Sequence, residues 1–123
     1  MNIMFYDIKL SGIYLITHKP TGKYYLGQSI SIFNRFQNHY SQLKKGTHST
    51  KNFQLLWNNS QPEDWKFEII QYISKDYVKK QSGLKGKAFE KLMTKVLLMA
   101  EKEQMSKYIS DMCLNSDKKH FKK

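Results

Sequence analysis

Two tyrosines, an arginine, a histidine and a glutamate fall at spacings that could bring phenol, guanidinium, imidazole and carboxylate groups together. Tyr14 and Tyr25 flank the run Lys19-Pro20-Thr21-Gly22. If the flanking segments pair as strands around that turn, both phenols can reach one face of the hairpin. Arg35 and His39 stand four residues apart, one helical turn, so they project together. Glu103 continues the line of Leu92, Val96 and Ala100 on the apolar side of a later helical segment, and is expected to point inward. An inward carboxylate needs a cation. Mg²⁺ or Mn²⁺ is a natural one, because magnesium is commonly held by one or two carboxylates with waters and a substrate phosphate. Glu101 is the rival, ranked second because its direction lies off the expected apolar face. Each group also has a plain structural reading: the tyrosines as sheet aromatics, Arg35 and His39 as a solvated helix face, Glu103 as an i, i+4 partner of Lys107, and Asn115 as a helix C-terminal residue.

These groups need a scaffold. Residues 12–18 (GIYLITH) and 23–28 (KYYLGQ) read as paired strands, rich in β-branched and aromatic residues, with Pro20 and Gly22 making the turn. Ser29 or Ser31 can open a helix to about Lys45, stopped by Gly46. Its expected apolar stripe is Ile32, Phe36, Tyr40 and Leu43, with Arg35 and His39 outside it. A short second helix carries Phe53, Leu56 and Trp57 and breaks at Asn58–Pro62. Residues 65–73 (WKFEIIQYI) read as a third strand. Residues 74–87, Lys-rich with Gly83 and Gly86, read as an exposed excursion. A helical stretch over about 88–112 follows. Its apolar set changes beyond Gln104 to Met105, Tyr108, Ile109 and Met112, so either two helices meet or one packs on two sides. The tail at about 117–123 is basic and expected to fray. The order implies one α+β domain over residues 1–123, a small three-stranded, mainly antiparallel sheet flanked by helices.

Charge narrows the partner. Twenty-one Lys and Arg against ten Asp and Glu leave a formal net charge of +11. That excess attracts polyanions, either nucleic acid or an anionic membrane, or else simply keeps a small protein in solution. No apolar run approaches the ~20 residues of a membrane span. The N-terminal residues lack the pattern of a secretory signal. Nucleic acid is therefore the expected partner. The one cysteine, Cys113, cannot form an internal disulfide and reads as a small buried residue.

The run SGIYLITHKPTGKYYLGQS resembles the opening hairpin of the GIY-YIG nucleases. Gly12-Ile13-Tyr14 matches the first motif, and Tyr25-Leu26-Gly27 the second with Leu in place of Ile. Arg35 and His39 follow as the family's helical arginine and histidine do. Gly46–Ser49 and the next helix are similar to the phage homing-endonuclease branch. AEKEQ resembles the glutamate helix and points to Glu103, and Asn115 falls where the family's asparagine does. The resemblance covers about residues 11–116. It departs after Glu103, where the usual aromatic is missing, and in the length of segment 74–87, which reads equally as a DNA-contacting loop or a solvated insertion.

The resemblance implies in-line attack of water on a phosphodiester. Tyr14 would take the proton, assisted by His39, with its pKa lowered by nearby positive charge. Arg35 would stabilise charge on phosphorus, Glu103 would hold one divalent ion, and Tyr25 and Asn115 would orient the parts. Lys23, Arg35, Lys44, Lys45 and His48 are the expected nucleic-acid contacts. The partner expected is DNA, double-stranded, cut by a monomer or a DNA-induced dimer inside a bacterium, a phage-infected cell or an organelle. Three readings stand: a homing-type or mobile-element endonuclease, a small restriction-like or structure-specific nuclease, and a non-catalytic basic nucleic-acid-binding protein that keeps the fold.

Overall fold

The hairpin forms around Pro20 and Gly22 as its turn residues require. Strands β1 (Gly12–His18) and β2 (Tyr24–Ser29) run antiparallel, setting Tyr14 opposite Gly27 and Ile16 opposite Tyr25. The computed structural model describes residues 10–108 and 110–115. After β2 come helices α1 (Ile32–Lys45) and α2 (Lys51–Asn58), strand β3 (Trp65–Tyr72), and helices α3 (Lys75–Ser82) and α4 (Gly86–Met105). A short 3₁₀ turn, Ser110–Met112, ends the order. β3 pairs antiparallel with the other edge of β1, so the sheet order is β2-β1-β3. This is the expected α+β architecture. Among the described residues no helix is long and apolar enough to cross a membrane.

Alternation along β1 and β2 sends side chains to two faces with different company. Tyr14 and Ile16 join Ile32, Phe36 and Leu43 of α1, Phe53 of α2, and Trp65. Ile13, Leu15, Tyr24 and Leu26 meet Ala100 and Met105 of α4. The sheet thus separates an aromatic layer under α1 and α2 from an aliphatic layer under α4.

Helical phase differs from expectation at two places. α1 buries Ile32, Phe36, His39 and Leu43, so His39 lies within the inner stripe and Tyr40 is only half-buried. Steps of four, three and four residues keep a narrower face than the expected set through Tyr40. α4 buries Met93, Leu97 and Ala100, so Leu92 and Val96 lie at the flank of the inner face. α4 ends at Met105, which accounts for the change of apolar set: Met105 and Tyr108 pack by Tyr24 and Cys113 in the second core. Ile109 and the basic tail lie outside the described residues.

Segment 74–87 is not a plain loop. The Ser74 side chain accepts a hydrogen bond from the Tyr77 N–H at 3.1 Å and opens α3. Gly83 closes it at φ 70°, a conformation that costs a glycine nothing. No residue of α3 is buried, so the expected exposure holds although the expected irregularity does not.

Candidate active site

β1 and β2 present Tyr14 and Tyr25 toward α1, with their rings stacked at 6.4 Å. Tyr14 lies across Gly27, and a Cβ on Gly27 would overlap the Tyr14 ring and hydroxyl. The glycine is therefore needed because the phenol occupies the space a side chain would take. Both tyrosines line an open cleft of about 410 Å³, together with Arg35 from α1, Thr50 ahead of α2, Glu101 from α4, and Asn115. That volume holds a phosphodiester and several waters at ~30 Å³ each.

A buried chain of hydrogen bonds runs inward from the cleft. Tyr14 Oη lies 2.7 Å from His39 Nε2. His39 Nδ1 lies 2.8 Å from His48 Nε2. The Thr50 N–H donates to His48 Nδ1 at 3.0 Å. Gln54 secures the inner end: its Oε1 accepts from the His48 N–H and its Nε2 donates to the Leu43 carbonyl. His39 and His48 are only 5% and 8% exposed, so these are interior contacts.

Burial sets the titration of this group. The Tyr14 phenol is pushed well above its ordinary value, first by burial and then by Tyr25, while Arg35 opposes the rise. The expected lowering by positive charge is thus present but outweighed. Tyr25 is raised for the same first reason. His39 is pushed down to about 3 by burial, then by His48 and Arg35. His48 is lowered by burial and by Arg35. Both imidazoles are neutral at pH 7.

The expected groups separate on inspection. Tyr14, Tyr25, Arg35 and Asn115 meet at the cleft. Asn115 donates its Nδ2 to the Leu26 carbonyl at 2.7 Å and accepts from the Leu26 N–H at 3.0 Å through Oδ1. It is not merely a helix terminus. Glu103 is exposed and lies outside the cleft, while Glu101 lines it. The reason is phase. With Met93, Leu97 and Ala100 inward, a turn of about 100° per residue sets Glu101 and Glu103 on opposite flanks of the inner face, and the cleft opens on the flank of Glu101. His48, expected to touch nucleic acid, is buried and serves His39 instead. Lys23 lines a separate hollow with Asn52 and Asp111. Lys44 and Lys45 are exposed at the end of α1. Gln54, a buried polar residue beside Phe53 on an amphipathic helix, was missed by sequence reasoning, and that unusual placement is its signal.

Among the described residues one carboxylate, that of Glu101, lines the cleft. Among the described residues no group of three His, Cys, Asp or Glu could cage a metal. Glu101 beside the open cleft fits a hard divalent ion that keeps most of its waters and takes its remaining oxygen from a phosphate.

The family described as the GIY-YIG catalytic domain matches residues 10–99. The chain belongs to the GIY-YIG family. It is a nuclease, with DNA as its substrate. The GIY-YIG match includes Tyr14, Tyr25, Arg35, His39 and His48 and stops just before Glu101. Two solved structures are similar. One is a glutamate-to-alanine mutant of the catalytic domain of the intron endonuclease I-TevI, 28% identical, covering 59% of this chain and 76% of that one at TM-score 0.48. The other is the catalytic domain of the homing endonuclease I-TevI, 27% identical, covering 59% and 80% at TM-score 0.48. A search of curated proteins matched nothing.

Proposed function

We propose that this GIY-YIG domain hydrolyses phosphodiester bonds of double-stranded DNA at the Tyr14–Arg35–Glu101 cleft with the help of one divalent cation. The observation that carries this is the convergence of a phenol, a guanidinium and one carboxylate from three separate elements on one open cleft. Water attacks phosphorus in line with the leaving oxygen. The proton of that water passes to Tyr14 in its phenolate form. Because burial raises Tyr14, the cutting rate rises with pH through the neutral range and beyond. Arg35 faces the charge that develops on the phosphoryl oxygens. Tyr25 and Asn115 hold the cleft wall. Glu101 would hold Mg²⁺ or Mn²⁺, and the ion would supply charge stabilisation at the phosphate and the leaving oxygen.

The duplex has a surface to follow. Lys87, Lys91, Lys95 and Lys102 are exposed along one side of α4, the first three one turn apart and the fourth two turns further on, and Glu101 flanks that side. None of the four forms an ion pair with a described residue. From Lys87 to Lys102 the helix rises about 22 Å at ~1.5 Å per residue, the length of about six base pairs at ~3.4 Å.

The test is cleavage of supercoiled and linear DNA with Mg²⁺ or Mn²⁺. Glu101→Ala and Arg35→Ala are expected to abolish cutting and leave much of the binding. Binding without metal-dependent cutting across varied substrates would leave only a non-catalytic DNA-binding protein. Each α4 lysine changed to Gln should reduce the slope of log affinity against log salt by about one, and an unchanged slope would remove α4 from the interface. A cleavage map over a library of sequences and structures separates homing-type from structure-specific use.

A further inference from the structure

We propose that the Thr50 N–H, acting through His48, fixes the direction of the buried relay so that His39 donates a hydrogen bond to Tyr14 and cannot accept its proton. The polarity of the Thr50 backbone amide is not adjustable. A backbone N–H can only donate, and that of Thr50 points at His48 Nδ1 at 3.0 Å. His48 Nδ1 must therefore carry no proton. A neutral imidazole has one, so it resides on His48 Nε2, which faces His39 Nδ1 at 2.8 Å. His39 Nδ1 is then the acceptor, and His39 carries its own proton on Nε2. That nitrogen faces Tyr14 Oη at 2.7 Å and donates to it. The reverse direction would set a protonated His48 Nδ1 against the Thr50 N–H, two donors head to head in the interior. Burial keeps both rings neutral, so neither carries the second proton that would blur the assignment.

The consequence reassigns two residues. His39 is not a base that activates Tyr14 as histidine activates a serine nucleophile. It is a donor that holds the Tyr14 oxygen, leaves the phenol's own proton directed elsewhere, and favours the phenolate once that proton has gone. His48 is a positioning residue, acting on Tyr14 only through His39. Gln54 supports it by holding the His48 backbone. The reading rests on the proposed nuclease site for its catalytic meaning, whereas the direction of the relay does not depend on activity.

The first test therefore needs no substrate. In the whole protein labelled with ¹⁵N-histidine at neutral pH, His39 and His48 should both show a protonated Nε2 and an unprotonated Nδ1. The signals of the four histidines are assigned by single substitution. A proton on His39 Nδ1 overturns the proposal even if the protein cuts DNA. The expected tautomers in a protein that cuts nothing would sink the nuclease reading and leave the relay standing. The second test contrasts two variants of similar size. His48→Gln can still donate to His39 through its amide. His48→Glu can only accept, which pulls the His39 proton to Nδ1 and turns Nε2 toward accepting from Tyr14. Cutting by His48→Gln should stay within about tenfold of the parent and that by His48→Glu should fall about 100-fold or more, the range of one misdirected electrostatic contact. DNA binding should be equal in both, and the ¹⁵N spectrum should report the His39 switch in His48→Glu. Equal rates for folded Gln and Glu variants, or an unswitched His39, overturn the proposal.

Discussion

The two faces of the sheet are built from the same three strands and serve opposite ends. Under α1 and α2 lie Tyr14, Tyr25, Phe36, Phe53 and Trp65, threaded by a hydrogen-bonded line of two histidines. Under α4 lie Ile13, Leu15, Leu26, Ala100 and Met105, with Tyr24 and Cys113 at the side. The first face carries polar groups in the interior, each of which needs a partner at a fixed distance. The second needs only volume and shape, which hydrophobic cores meet with many side chains. Substitutions on the first face should therefore appear as kinetic lesions and on the second as thermodynamic ones.

Glu101→Gln gives the widest separation. It should cut cleavage by about 10²–10³-fold, the scale of losing a preorganised charge at a reacting phosphate. Glu103→Gln, at an exposed position on the same helix, should cut as the parent does. A comparable loss at Glu103 would return the site to the other side of α4. Ile13→Ala empties a fully buried position of the second face and should lower stability by about 3 kcal/mol in denaturant unfolding. Where that variant is folded its rate should match the parent's, and a slowed folded variant would break the contrast between the faces. Gly27→Ala straddles the two classes. Its Cβ meets the Tyr14 ring, so it should cost about 2 kcal/mol of stability by overpacking and slow cutting by displacing the phenol. Normal cutting by a destabilised Gly27→Ala would separate the phenol's position from the chemistry.

The gentlest probe is acid. His39 titrates near 3 when folded and near 6.5 when unfolded. Below about pH 6.5 the unfolded chain takes up a proton that the folded chain refuses, so stability is lost as pH falls from about 6.5 toward 3. His48 acts in the same direction. His39→Gln should flatten that part of the stability profile. An equally steep profile would place the acid sensitivity elsewhere.

The hairpin was legible in advance because its instructions are local: a Pro and a Gly in the turn, and alternating strands on either side. The two glutamates were not. α4 exposes Leu98 and Met99 and buries Met93 and Leu97, so apolar residues surround much of the helix and several phases fit the pattern. Only packing against the sheet selects the phase that admits Glu101. His39 was misplaced by a smaller ambiguity, since Tyr40 substitutes for it in a stripe of similar width. α3 carried readable end signals in Ser74 and Gly83, masked by the lysines between them. The His48–Thr50 contact could not be read from residue types, because it depends on how the loop before α2 is held by Gln54.

Asn115 closes a contact between residues 89 positions apart, copying with one side chain the pair of bonds a neighbouring strand would make to Leu26. The Leu114 N–H adds a bond to the Tyr24 carbonyl, so residues 113–115 cover the outer edge of β2, and an outer strand with free backbone groups is a template for other chains. A molecule that loses this clasp therefore loses the wall of its cleft and gains a sticky edge in one event. Loss of cutting and self-association should arrive together, so damage at Asn115 is converted into removal from solution.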